Sequence, residues 1–169
     1  MDKLHKAEYL DRAVVMLHHI EDGILVTLLS LMIGMAAVQI LSRNILGAGI
    51  VWGDMLVRIL VLWVGLLGAM VATRYDKHIQ IDIINRFLPA AAKSIVDVLV
   101  KLFAATVCIL VAYYSLQFVR AEFLDGGLAF WKVPSWLCEA IIPISLFIIG
   151  LRYFLMAINS ILKVLKLRP

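Results

Sequence analysis

The sequence predicts an all-α integral membrane protein: four transmembrane helices, N- and C-termini cytoplasmic, and an amphipathic interfacial helix after the second crossing. Three observations carry this prediction. Of 169 residues, 63% are hydrophobic and 17% charged, whereas soluble domains have about 25% charged residues. Residues 23–42 form a run of 20 without a charge and residues 102–119 a run of 18, the length at which a helix spans hydrocarbon. The chain also lacks the alternation of a β-barrel, and a helix is the other structure that satisfies its own backbone in lipid.

Several function classes drop out early. The net charge is +4, but the basic residues lie between apolar runs and form no continuous patch, so topology accounts for them better than nucleic acid does. The two cysteines, Cys108 and Cys138, have no metal spacing and make no disulfide framework. Residues 1–22 are charged and lack the apolar core and small-residue cleavage site of a signal peptide, so the first crossing is expected to stay in the mature protein.

The elements follow in order. Over 1–22, Leu4, Ala7, Leu10, Val14 and Leu17 recur at spacings of three and four, opposite Lys3, Lys6, Glu8, Asp11 and Arg12. This is an amphipathic helix that lies along the headgroups or extends the first crossing. The first crossing, about 23–42, carries Ser30, Gly34 and Ala37, a small-residue seam that lets another helix come close. Arg43 ends it, and the stretch 46–49 is a Gly-rich turn.

The second crossing, about 52–73, opens with Trp52, suited to the interface, and Asp54, suited to the positive end of a helix. Arg58 follows one turn later. It either pairs with Asp54 across one helix face or snorkels to water. Gly65, Gly68, Ala69 and Ala72 form a second seam, read as a contact surface. Beyond Arg74, residues 78–89 place Ile79, Ile83, Ile84, Phe87 and Leu88 opposite Asp82, Asn85 and Arg86, the pattern of a short helix lying flat on the membrane. His78 and Asp82 read as a structural hydrogen bond, being too few ligands for a metal site.

The third crossing, about 95–119, has Asp97 and Lys101 one turn apart, expected to pair, and the small stripe Ala104, Cys108 and Ala112. Residues 120–136 form the sizeable loop, whose aromatics, Trp136 among them, either anchor it at the membrane surface or meet a soluble partner. The fourth crossing, about 136–162, is expected to bend or loosen at Pro143. Together these make one four-helix domain over 1–169, with no second domain, repeat or long linker.

Orientation follows from Lys and Arg. Twelve fall in the N-terminal segment, the connection between the second and third crossings and the C-terminal end, against Arg43, Arg120 and Lys132 on the other side and Arg58 at the membrane edge. That places both termini in the cytoplasm. The central thirds of the helices are Leu, Val, Ile, Ala and Gly, without the mid-membrane charges or broken helices of a transport core. Phosphate loops, nucleophile elbows and HExxH motifs are absent too. The residues point to a scaffold or anchor, not an enzyme, that acts on a larger partner through its surfaces.

Arg43; Trp52 and Asp54; Leu67, Gly68 and Ala69; Arg74; His78 and Ile79; Asp82; and Leu88 and Pro89 follow the order of the small, Q-type membrane subunit of TRAP (tripartite ATP-independent periplasmic) transporters, which this chain resembles. Pro134, Trp136, Pro143 and Arg152 also fall where that family tends to place such residues. The departures are Gly53, where the family often has the first of two adjacent acids, and Asp54 in place of the usual Glu. The resemblance implies a multi-pass protein of the bacterial inner membrane that binds a large, elevator-type membrane subunit as a heterodimer. A periplasmic substrate-binding protein would deliver an organic acid such as a sialic acid or a C4-dicarboxylate. Coupling sodium is expected in the large subunit and no cofactor in this one.

Two other readings remain open on the residues. One is a haem-binding four-helix anchor of a respiratory enzyme, using His18 or His19 with His78. The other is a small self-assembling exporter, for which Asp97 lies too near the membrane edge. Under the scaffold reading, charge reversal at Asp54 or Arg58 weakens complex assembly more than substrate affinity.

Overall fold

The computed structural model describes residues 2–74, 90–130 and 132–166. Four of its helical segments are long and apolar enough to cross a membrane: Val15–Leu46, Gly53–Ala72, Ile95–Asp125 and Ser135–Leu162. The interfacial helix read over 78–89, with His78 and Asp82, lies outside the described residues.

Helix α1 runs unbroken over Asp2–Leu46. The amphipathic segment and the first crossing are therefore one rod, because nothing between them interrupts the backbone ladder: neither Gly23 nor any proline breaks it. It stops at Gly47, whose φ of 71° takes the left-handed conformation that closes a helix at little cost to glycine. Helix α2, Gly53–Ala72, returns alongside it, with Asp54 in its first turn.

Helix α3 covers Ala90–Asp125, longer than the expected crossing, and ends at Gly126 (φ 67°), whose N–H donates to the Glu122 carbonyl at 3.2 Å. The expected 120–136 loop is thus shorter than the sequence suggests. Its remainder is a hairpin of β1 (Leu128–Phe130) and β2 (Val133–Pro134), antiparallel with Leu128 opposite Pro134.

The fourth crossing is interrupted, but not at Pro143. A short α4, Ser135–Glu139, gives way at Ala140 to α5, Ile141–Lys166. Pro143 occupies the first turn of α5, where its missing N–H has no intrahelical partner to lose. The proline helps start this helix and does not bend it.

Packing follows the order α1 on α2, α2 on α5, α5 on α3. Leu67 and Met70 of α2 meet Ile141 and Ile149 of α5 in the buried core. Trp63 of α2 donates its indole N–H to the Cys138 carbonyl at 2.8 Å, which fastens α4 to the bundle. Helices α3 and α5 approach closely at Gly150, where a Cβ would lie 2.9 Å from Ile109, 3.2 Å from Cys108 and 3.4 Å from the Ala105 carbonyl. Nearby Asp97 and Lys101 pair at 2.8 Å, and Ser160 of α5 bonds to both. Large apolar residues elsewhere, among them Val26, Ile33, Val61 and Phe103, face outward, as surfaces bathed in lipid do.

Candidate functional site

Polar chemistry gathers at the two ends of the α1–α2 pair. Glu21 and Arg43 are 22 residues apart on α1, about 33 Å at the helical rise. Asp54 and Arg74 are 20 apart, or about 30 Å. Both separations match a hydrocarbon core of about 30 Å.

One end is a clamp. Arg74, just past α2, donates from Nε to Glu21 Oε2 at 2.7 Å and from Nη1 to Asp22 Oδ1 at 2.8 Å and the His18 carbonyl at 3.1 Å. Arg152 of α5 donates from Nη2 to Glu21 Oε1 at 2.8 Å and from Nη1 to the Met70 carbonyl. Thr73 caps the same carbonyl at 2.7 Å. The Arg74 and Glu21 side chains are 5% and 10% exposed, so these charges are tolerable only because each has its counterion. Two acids and two arginines leave the clamp neutral, and it ties three helices together.

The other end is open. Gln39 of α1 lies buried beneath the turn, donates to the Ile50 carbonyl at 2.8 Å and accepts from the Ile50 N–H at 2.9 Å, as one strand pairs with another. It also donates to Asp54 Oδ1 at 3.1 Å, while Arg43 Nη2 takes Asp54 Oδ2. Arg43 and Asp54 remain 57% and 52% exposed.

Of the two expectations for Arg58, pairing with Asp54 or reaching to water, the geometry gives the Asp54 hydrogen bonds to α1: Gln39 and Arg43 each hold one carboxylate oxygen, and Arg58 makes no salt bridge among the described residues, acting on Asp54 through its charge alone. Gly53 gains a reason as well: a Cβ there would lie 2.8 Å from the Gln39 amide nitrogen and 2.9 Å from Met35, displacing the amide that orients Asp54. Ala36, Gln39, Ile40, Arg43, Asp54, Val57 and Arg58 line a groove of about 410 Å³.

The remaining expected residues divide. Trp52 sits partly exposed at the mouth of α2. Trp136 packs edge-on against Phe123, centroids 5.4 Å apart, and so belongs to the α3–α4 contact. Gly65 and Gly68 have no atom beyond their own stretch of helix within 4 Å of where a Cβ would be. Their seam receives none of the chain's own described helices, whereas Gly150 is packed tightly against α3.

Sequence reasoning missed Glu21, Asp22 and Gln39, although an acidic doublet before an uncharged run and a lone amide near a helix end were both legible. Among the described residues, no group of three or more His, Cys, Asp or Glu is gathered as a metal site, and His19 donates its Nδ1–H within its own helix, to the Val15 carbonyl at 2.9 Å.

Known proteins place this architecture. The sialic acid TRAP transporter permease protein SiaT of Haemophilus influenzae is 27% identical over 124 residues, covering 71% of this chain and 20% of that protein. The ectoine TRAP transporter small permease protein TeaB of Halomonas elongata is 25% identical over 125 residues, covering 73% of this chain and 64% of that protein. The chain thus spans less than two thirds of the length of either relative. The family described as tripartite ATP-independent periplasmic transporters, DctQ component, matches residues 32–163. A multi-pass protein of the inner membrane, the chain belongs to a family of transporter components and not of enzymes, the DctQ component of the tripartite ATP-independent periplasmic transporters.

Proposed function

We propose that this chain is the scaffold subunit of a sodium-coupled importer of organic acids. It holds the static part of a large, elevator-type membrane subunit and helps dock the periplasmic binding protein, with both of its own termini cytoplasmic. The observation that carries the reading is where polar groups are used. Buried Glu21, Thr73 and Lys101 gather toward one end of the bundle and Gln39 at the other, while buried Ser145 bonds only within its own helix, to the Ile141 carbonyl at 2.7 Å. Among the described residues, such an interior gathers no set of ligands for an ion or solute at mid-membrane.

Two facts add support. The counterpart of this chain in SiaT accounts for a fifth of a longer polypeptide, as expected of a domain that works beside a larger one. The relatives are named for different cargoes, sialic acid and ectoine, which suits a subunit that does not choose the cargo. Coupling sodium and substrate then belong to the large subunit, and this one needs no cofactor. Helix α1, packed chiefly on α2 and otherwise facing outward, has the free surface such a partner requires.

The test is uptake in proteoliposomes containing this chain, its neighbouring large membrane protein, or both, with the binding protein supplied outside. Sodium-dependent uptake is expected only with both. Uptake of an organic acid by this chain alone would overturn the scaffold role, and a Soret band in the purified protein would do so in favour of a haem anchor.

A further inference from the structure

The groove between α1 and α2 carries one more positive than negative charge, and its floor is apolar. Asp54, the one acid lining it, is already bonded to Gln39 through Oδ1 and to Arg43 through Oδ2. Arg58, one turn further into the membrane, lines the same groove and makes no salt bridge among the described residues, acting on Asp54 only through its charge. A guanidinium presents five N–H donors and stays charged at any physiological pH. Arg58 is exposed, and at the edge of hydrocarbon its side chain can reach the headgroup layer, where lipid phosphates lie. Below that level the walls are Ala36, Ile40 and Val57, continuous with outward-facing Ile33 and Val61.

We propose that this groove binds a phospholipid bearing net negative charge, its phosphodiester on Arg58 and one acyl chain along Ile40 and Val57. The net positive charge favours a headgroup without a cation, such as phosphatidylglycerol. An ethanolamine headgroup would bring an ammonium into a groove where two arginines already outnumber the one acid. A partner's acidic side chain fits less well, because it would have to ionise among these apolar walls, whereas a lipid phosphate is already at the right depth. The site is independent of the scaffold reading.

The test titrates the full-length chain in detergent with dioctanoyl phosphatidylglycerol, dioctanoyl phosphatidylethanolamine or inorganic phosphate, following bound lipid by native mass spectrometry. Wild type and Arg58→Lys are expected to bind the glycerol lipid, and Arg58→Gln to bind it about tenfold more weakly, the loss of one charge-assisted contact. The ethanolamine lipid should bind more weakly than the glycerol lipid, and inorganic phosphate should not displace it. Equal binding by wild type and Arg58→Gln would overturn the proposal. So would full displacement by inorganic phosphate, which would mark a soluble-anion site. Loss of a co-purifying membrane protein from Arg58→Gln with lipid binding unchanged would assign Arg58 to a protein contact instead and equally overturn it.

Discussion

The two ends of the α1–α2 pair use the same residue types to opposite effect. At the clamp, Glu21 and Arg74 are buried and Arg152 mostly so; the three are drawn from three helices and reach charge balance with the exposed Asp22. At the groove, Arg43 and Asp54 are more than half exposed, belong to neighbouring helices, and stand beside Arg58, which makes no salt bridge among the described residues. Burial decides the difference. A desolvated charge must be paired within the fold, so its partners become structure. An exposed one pairs weakly and stays available to something outside.

The comparison breaks first at Glu21. Glu21→Gln leaves Arg74 and Arg152 without their shared counterion and is expected to cost about 3–5 kcal/mol, read as a lowered unfolding midpoint in detergent and poor yield. If that variant unfolds no earlier than Asp54→Asn, the contrast between the two ends fails. A control comes from the bundle's middle: Gly150→Ala should cost about 1–3 kcal/mol by overpacking against Ile109 and Cys108, while Gly65→Ala, facing open space, should leave the midpoint unchanged.

At the open end the stability effects shrink. Asp54→Asn should lower the midpoint by about a third or less of the Glu21→Gln change, and salt should erase the difference, as it does for exposed pairs. Asp54→Lys, which sets three cations together, should instead be felt in assembly, reducing recovery of the large subunit while leaving substrate affinity unchanged. Undiminished co-purification would sink that expectation. Smallest of all, Arg58→Gln should stay within about 0.5 kcal/mol of wild type in stability, its effect confined to bound lipid.

The four crossings were legible because lipid leaves a backbone one economical choice, and an uncharged run of helical length announces it. The Asp97–Lys101 pair was legible because one turn of one helix determines it. The clamp was not: Arg74 and Arg152 lie 53 and 131 residues from Glu21, and their meeting depends on how three helices are rotated about their axes. For the same reason Gly65 and Gly150 look alike in sequence, although only Gly150 has a helix of this chain against it. The sequence left Arg58 either paired with Asp54 or reaching to water, and could not show that the short turn after α1 brings Arg43 and Gln39 to Asp54. Pro143 was misplaced because a proline starts a helix as readily as it bends one, and which it does depends on whether the chain has already broken upstream.

The unbroken α1 turns the clamp into a fulcrum. Nineteen residues precede Glu21 in this helix, an arm of about 29 Å whose base is gripped by Arg74 and Arg152. A tilt of about 5° at the base swings the tip by roughly 2.5 Å over that length. A spin label or fluorophore near the N-terminus would therefore work as a pointer, magnifying small motions at the membrane surface into displacements large enough to follow while the assembled transporter turns over.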